Sequence, residues 1–273
     1  GGSSWTQSDA ELEPWIDLHS VAYLNDSIGI TVGRMGRILR TTDEGLHWLE
    51  VARVNVDFLW DVAFSQGETH QTGIIVGEEG SVFRTTDDGA TWVELSSGTT
   101  SELTTAHFLN DTTIHVLGAS GRILQSSDLG DSWVDRSSGK NCLCGVDYSS
   151  PLNGVVVGSD GAIRYTTDCG QTWGHSTILS PIGLTGVTFS DVAYRDSLHL
   201  TTVGSFGLIL NSSDGGRTWM RFHDGAISDL RRVCFVSTAQ AMIAGSSGTL
   251  LRTENGGTSW ERIETETTTY FRD

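Results

Sequence analysis

Five aspartates and one asparagine recur along this chain at intervals of about 40 to 46 residues: Asp43, Asp87, Asp128, Asp168, Asp214 and Asn255. Each has Ser or Thr two positions before it and Gly two positions after it. Each also has Trp five positions after it: Trp48, Trp92, Trp133, Trp173, Trp219 and Trp260. Thr85-Thr86-Asp87-Asp88-Gly89-Ala90-Thr91-Trp92 is a complete copy, and His47 stands where the other copies carry Ser or Thr. Carboxylates could act as acids, bases or metal ligands, but this spacing points to a turn. An Asp or Asn side chain accepts N–H bonds from its own turn. The Gly supplies a positive φ, and the Trp buries its ring on the neighbouring sheet. No substrate is needed, and these residues are read as structural.

Other chemistry-bearing residues form no complete set. The eight histidines are scattered, and Cys142, Cys144, Cys169 and Cys234 form no CxxC pair, so neither a metal site nor a cofactor is expected. The cysteines read as buried free thiols; a disulfide cannot be read from their spacing. No G-x-S-x-G elbow precedes a helix, which argues against a serine hydrolase. Gly-x-x-Gly turns recur, yet no helix follows them as a phosphate loop requires. A glycosidase needs two carboxylates facing each other at about 5–10 Å. Asp17, Asp61, Glu102, Asp191 and Asp229 are the candidates, although repeated positions bring acids together without any catalytic purpose.

The elements that position these residues follow the same period. An apolar first strand (Val62-Ala63-Phe64, Val192-Ala193-Tyr194) precedes a short second strand ending in Gly. These glycines are Gly33, Gly77, Gly118, Gly158, Gly204 and Gly245. A two-residue turn and a second Gly come next, then a third strand enters the aspartate turn and the Trp opens a fourth strand. Four antiparallel strands repeated six times without a helix signal describe the blades of an all-β propeller. Six blades are favoured and seven is the alternative. One domain is expected over 1–273, with repeats at 16–52, 57–96, 101–137, 141–177, 187–223 and 228–264. An extra N-terminal strand at 3–8 carries Trp5.

Composition narrows the partners. The chain has 273 residues and a net charge of −17, with one lysine, Lys140, which excludes non-specific nucleic-acid binding. No apolar run of about 18 residues is present to cross a membrane. The Gly1-Gly2-Ser3-Ser4 start lacks the features of a signal peptide. It reads as the tether of an exported, lipid-anchored protein, or as a tag remnant.

The aspartate turn resembles the Asp-box, or BNR repeat, of sialidases, sortilin-type receptors and xyloglucan-degrading glycosidases. The longer unit, V-x-F/Y then V-G-x-x-G-x-I/L then T-x-D-x-G-x-T-W, is most similar to the photosystem II stability/assembly factor family. Residues 75–92 and 156–173 carry it, and the resemblance covers nearly the whole chain. It implies a non-enzymatic propeller, extracytoplasmic (periplasmic, lumenal or secreted), that binds a membrane-protein partner; a monomer is expected, and an acidic peptide segment is the other partner considered. That family usually has seven blades, whereas the last blade here already has its own Trp260 strand. Sialidases carry an Arg-Ile-Pro segment, and none of Pro14, Pro151 and Pro181 follows Arg-Ile.

In a propeller the first-strand lead-ins and second-to-third turns share one face around the channel, opposite the boxes. The binding candidates on that face are Arg34, Arg37, Arg122, Arg231, Arg232, Trp60 and Phe206. Repeat geometry would gather Arg34, Arg37, Arg231 and Arg232 into one basic patch able to hold a carboxylate. Solvated or internally paired arginines are the alternative. Trp60 and Phe206 could anchor a peptide or a sugar, with Trp15 beside them or packed under the N-terminal strand. A carbohydrate-binding or glycoside-hydrolysing propeller is the competing function.

Overall fold

The computed structural model describes residues 17–65, 67, 72–179, 183, 185–222 and 228–264. The strand expected at 3–8 and Trp15 lie outside the described residues. Among the described residues, six antiparallel sheets follow one another along the chain. The first holds β1 (Leu18–Tyr23), β2 (Gly29–Gly33), β3 (Arg37–Thr41) and β4 (Leu49–Arg53). The second holds β5 (Leu59–Phe64), β6 (Gly73–Gly77), β7 (Val82–Thr85) and β8 (Val93–Leu95). β9 (Leu103–Phe108), β10 (Ile114–Gly118), β11 (Ile123–Ser126) and β12 (Val134–Asp135) make the third. The fourth has β13 (Leu143–Tyr148), β14 (Gly154–Gly158), β15 (Ile163–Thr166) and β16 (Gly174–His175). β17 (Thr177–Ile178), β18 (Phe189–Tyr194), β19 (Leu200–Gly204), β20 (Ile209–Ser212) and β21 (Thr218–Phe222) form the fifth. The sixth is β22 (Leu230–Phe235), β23 (Ala241–Gly245), β24 (Leu250–Thr253) and β25 (Glu261–Arg262). This is the strand plan of a six-bladed β-propeller.

The described residues fall into two compact units, within Gly1–Ile114 and Ser126–Trp133 for one, and His115–Gln125 and Val134–Asp273 for the other. Ile30, Val32, Ile38, Leu59, Ile75 and Phe83 centre the core of the first. Val155, Val157, Phe189, Leu210 and Trp219 centre one cluster of the second, and Val203, Ile209, Leu230 and Ile243 another. Second strands are mainly apolar because both faces are covered; every residue of β2, β6 and β14 is buried. Fourth strands other than β21 sit at sheet edges, and β8 and β12 are largely exposed.

Two details differ from the sequence expectation. β17 joins the fifth sheet as an added parallel strand against β21, through bonds such as Leu179 N–H to Trp219 O at 2.8 Å. Ile178 packs against the cluster that holds Trp219, and Trp219 is fully buried. The second-to-third turn is also centred one residue later than the Gly-x-x-Gly spacing suggests. Its central pairs are Met35-Gly36, Glu79-Gly80 and Phe206-Gly207, with φ of 61° and 64°, 55° and 75°, and 60° and 67°. Ser81 N–H closes one such turn on Glu78 O at 3.0 Å. Two consecutive positive φ values define a type I′ turn, whose twist matches the flanking strands.

The aspartate turns fasten each sheet to itself and, from the second sheet onward, to its predecessor. Thr91 donates its N–H to Asp87 Oδ1 at 2.9 Å and its hydroxyl to Oδ2 at 2.7 Å, while Thr85 Oγ1 donates to Oδ1 at 2.8 Å. Asn255 keeps the pattern by reversing one bond: its Nδ2 donates to Ser259 Oγ at 2.8 Å. His47 replaces the hydroxyl with Nδ1, 2.6 Å from Asp43 Oδ2. Bonds from the Thr41 and Ser126 hydroxyls and from the His47 and Ser132 groups hold the Asp43 and Asp128 carboxyls down at about 2. Side chains of third strands reach the next turn: Arg84 donates to Leu129 O at 3.0 Å, and Gln125 Nε2 to Cys169 O at 2.8 Å. A Cβ on Gly89 would stand 2.4 Å from Ile30 Cδ1, so the turn also abuts the preceding second strand. Within each sheet these turns lie at the strand ends opposite the type I′ turns.

Candidate functional site

The first strands carry a bulge that shapes the opposite end. In β1, β5, β13, β18 and β22 the register against the second strand slips after the opening apolar residue. The residue in the slip, His19, Trp60, Cys144, Ser190 or Arg231, is left outside the regular ladder, and a bulge re-aims its side chain. The residue before the strand is tied to the type I′ turn: Glu78 N–H bonds to Phe58 O at 3.1 Å, and Ser246 N–H to Asp229 O at 2.8 Å. The two side chains flanking the opening apolar residue consequently meet. Phe58 stacks on Trp60, and Asp229 Oδ2 lies 3.5 Å from Arg231.

In the first unit this produces a layered cluster. The Arg34 guanidinium lies 5.1 Å over the Phe58 ring. Phe58 is stacked on Trp60 at 5.2 Å and 11°, and Trp60 on His19 at 4.6 Å and 14°. His19 is buried, with Nδ1 2.8 Å from Leu59 O. Met35 stands exposed beside this stack, its N–H on Asp57 O and its carbonyl accepting from Arg53 Nε at 3.2 Å. Arg34 also pairs with Asp17 at 3.7 Å, a contact between two half-exposed side chains and worth little by itself. Arg37 is turned to Glu50 at 3.3 Å, away from this role.

The second unit holds the remaining candidates. Phe206 is 64% exposed at the tip of its turn, and its N–H bonds to Asp229 Oδ1 at 3.0 Å. Arg122 pairs with Asp135, and Arg231 with Asp229. Burial pushes Asp191 up to about 6, opposed by the nearby Arg232 charge and by the Val233 N–H at 2.9 Å. Asp147 is likewise raised by burial to about 6, and its two oxygens accept from Tyr148 N–H at 2.8 Å and Tyr194 N–H at 2.7 Å. These carboxylates tie strands together.

The four arginines expected to form one patch are shared between the two units. Arg34 and Arg37 belong to the first unit and Arg231 and Arg232 to the second. Arg34, Arg37, Arg122 and Arg231 each have a carboxylate partner. The arrangement that the spacing missed is the stack of His19, Phe58 and Trp60, because the bulge that creates it leaves no mark in composition. The four cysteines are thiols, but Cys142, Cys144 and Cys169 are half-buried and Cys234 is exposed, contrary to the expectation of buried thiols. Strand alternation explains Cys234: Val233 faces the core, so its neighbour faces away.

With its six sheets and their aspartate turns, the chain has the fold of an all-β propeller. Within that class it is similar to the photosystem II assembly factors. The profile of the family described as Photosynthesis system II assembly factor YCF48 matches residues 182–269. Among solved structures, YCF48 from Cyanidioschyzon merolae superposes with a TM-score of 0.73 at 15% identity, over 93% of this chain and 87% of that one. A structure of YCF48 bound to D1 peptide gives 0.70 at 19% identity, over 92% and 85%. The GH74 xyloglucanase from Xanthomonas campestris gives 0.71 at 11% identity, over 91% of this chain and 45% of that one. No curated protein sequence matches the chain.

Proposed function

We propose that this protein is a non-enzymatic propeller that captures an extended segment of a protein partner. Its anchor is the stack of Arg34, Phe58 and Trp60 with Met35 beside it. The observation that carries the reading is the guanidinium seated on Phe58. One face of Arg34 is desolvated by the ring while its N–H edge stays available for a carboxylate, and Asp17 is a weak enough partner to be displaced. Trp, Arg and Met are the residue types that interface cores favour. The similar structure of YCF48 bound to D1 peptide supports a peptide as the partner. Phe206 and Arg231 offer contacts of the same kind in the second unit. An extracytoplasmic location, as the assembly-factor resemblance implies, and a monomeric state belong to the same proposal. Among the described residues no helix is long and apolar enough to cross a membrane.

Glycoside hydrolysis is disfavoured because Asp147 and Asp191, the raised carboxylates, already accept main-chain N–H bonds. The test is a titration of fluorescent D1 peptide and of acidic extended peptides, beside a xyloglucan and sialoside panel. Arg34→Glu and Trp60→Ala should each weaken peptide binding by about tenfold or more, the equivalent of about 1.4 kcal/mol. Undiminished binding in both variants, or turnover of a glycan, would overturn the reading.

A further inference from the structure

Phe58 and Trp60, and Asp229 and Arg231, occupy the two positions that flank the opening apolar residue of a first strand, and in both pairs the side chains touch. In the fourth sheet those two positions are Cys142 and Cys144, around the fully buried Leu143. The same register slip separates Leu143 from Gly145. The Cys142 carbonyl accepts from Ser159 N–H at 2.8 Å, and the Cys142 N–H donates to Ser159 Oγ at 3.0 Å, so the Cys142 end of the segment is held. The two thiols are hydrogen-bonded to each other. In a regular strand, side chains two residues apart share a face but stay separated by the full two-residue rise. The bulge brings this pair within contact.

We propose that Cys142 and Cys144 are a redox-active dithiol that exchanges with small-molecule disulfides to form a reversible crosslink within the first strand of the fourth sheet. Cys142 leads. The Cys144 thiol is held well above its ordinary range by its bond to Cys142 and by burial, against the pull of the Arg232 and Arg231 charges. It therefore remains a donor and stabilises the Cys142 thiolate. That thiolate attacks one sulfur of glutathione disulfide: the S–S bond of the oxidant breaks, a Cys142–glutathione disulfide forms, and one glutathione thiolate leaves. Cys144, losing its proton to solvent, then attacks Cys142 Sγ and expels the second glutathione. The protein loses two hydrogens, and two electrons pass to the oxidant. A loop this short is strained, and strained disulfides are readily reduced again, as a switch requires.

The test uses the full chain, equilibrated in glutathione buffers of rising oxidised fraction, quenched with acid, alkylated and digested with trypsin. Lys140 and Arg164 bound a peptide, residues 141–164, whose cysteines are Cys142 and Cys144 alone. The expected result is that peptide two hydrogens lighter and unalkylated, restored by dithiothreitol, while Cys169 and Cys234 stay alkylatable or carry glutathione. Double alkylation at every ratio, or glutathione on both cysteines of the peptide, would overturn the proposal. Cys144→Ser should trap glutathione on Cys142. In Cys142→Ser, Cys144 should react at least about tenfold more slowly than that, the effect of one pKa unit in thiolate fraction. Equal rates in the two variants would refute the order of attack and the assigned pair with it.

Discussion

The Arg40 guanidinium donates from Nε to the main-chain carbonyl of Asp88 at 2.9 Å, so the third strand of the first sheet holds the aspartate turn of the second. Arg84 and Leu129 repeat the contact one sheet later. The carbonyl belongs to a residue in the left-handed region, with a φ of 58°, and points out of its own turn toward the neighbour. Arg40→Met retains the apolar stem and removes the donor. The orphaned carbonyl should cost about 1.5–3 kcal/mol, the range for bonds from charged groups. Urea unfolding would show a lower midpoint with an unchanged m-value; an unshifted midpoint would mean that water replaces the guanidinium.

Asp87 gathers three donors from Thr85 and Thr91, and Asn255 shows that an amide can serve the same turn. Asp87→Asn should therefore cost only a few tenths of a kcal/mol, with the Thr91 hydroxyl turning to accept. Asp87→Ala leaves the Thr91 N–H without its acceptor and should cost about 1–2 kcal/mol, like the loss of a helix N-cap. Thermal melts of the two variants side by side separate these outcomes, and equal losses would disprove the argument from Asn255.

The boxes are legible in the sequence because each function within them is confined to one residue type: an acceptor, a flexible Gly, a large ring. The type I′ turns are less so. Nothing in Met35, Glu79 or Phe206 announces a positive φ, and the neighbouring Gly draws attention one position away from the true centre. The bulge is a property of pairing between strands, so the apposition of Phe58 with Trp60 and of Cys142 with Cys144 has no linear signature. β17 is two residues long, too short for any periodicity. Charge counting finds Arg34 but not the Phe58 ring beneath it, which distinguishes that arginine from Arg37 on Glu50.

Asp147 and Asp191 make stability fall as pH rises across a defined window. Their folded values of about 6 exceed the unfolded value of about 3.9, so the folded chain binds more protons between these limits. Each carboxyl contributes in full below about pH 4 and its contribution is lost by about pH 6–7, on the order of 1–3 kcal/mol per site. His107 acts oppositely: burial lowers it to about 4, and its contribution is lost as pH falls below the usual histidine range. Relative to wild type, Asp191→Asn should gain stability between about pH 4 and pH 7, and His107→Gln should lose it over the same interval. Chemical denaturation at the two pH values checks both signs, and parallel curves for variant and wild type would contradict the assignment.

Phe206 holds a left-handed conformation, with φ of 60° and ψ of 28°, while its ring is 64% exposed. Both facts are unfavourable for a phenylalanine that serves the fold alone. The backbone strain costs about 1 kcal/mol or more, and the exposed ring recovers little by burial. Gly at this position would relieve the strain but would lose more chain entropy on folding. Phe206→Gly should therefore leave stability unchanged or raise it by up to about 1 kcal/mol. Phe206→Asn, which tolerates the left-handed region, removes the ring without adding chain freedom and should be at least as stable as wild type. If the ring is kept to contact a partner, both variants should weaken peptide capture while melting no earlier than wild type. A lower melting temperature in both, with capture intact, would assign Phe206 to the fold and remove it from the binding surface.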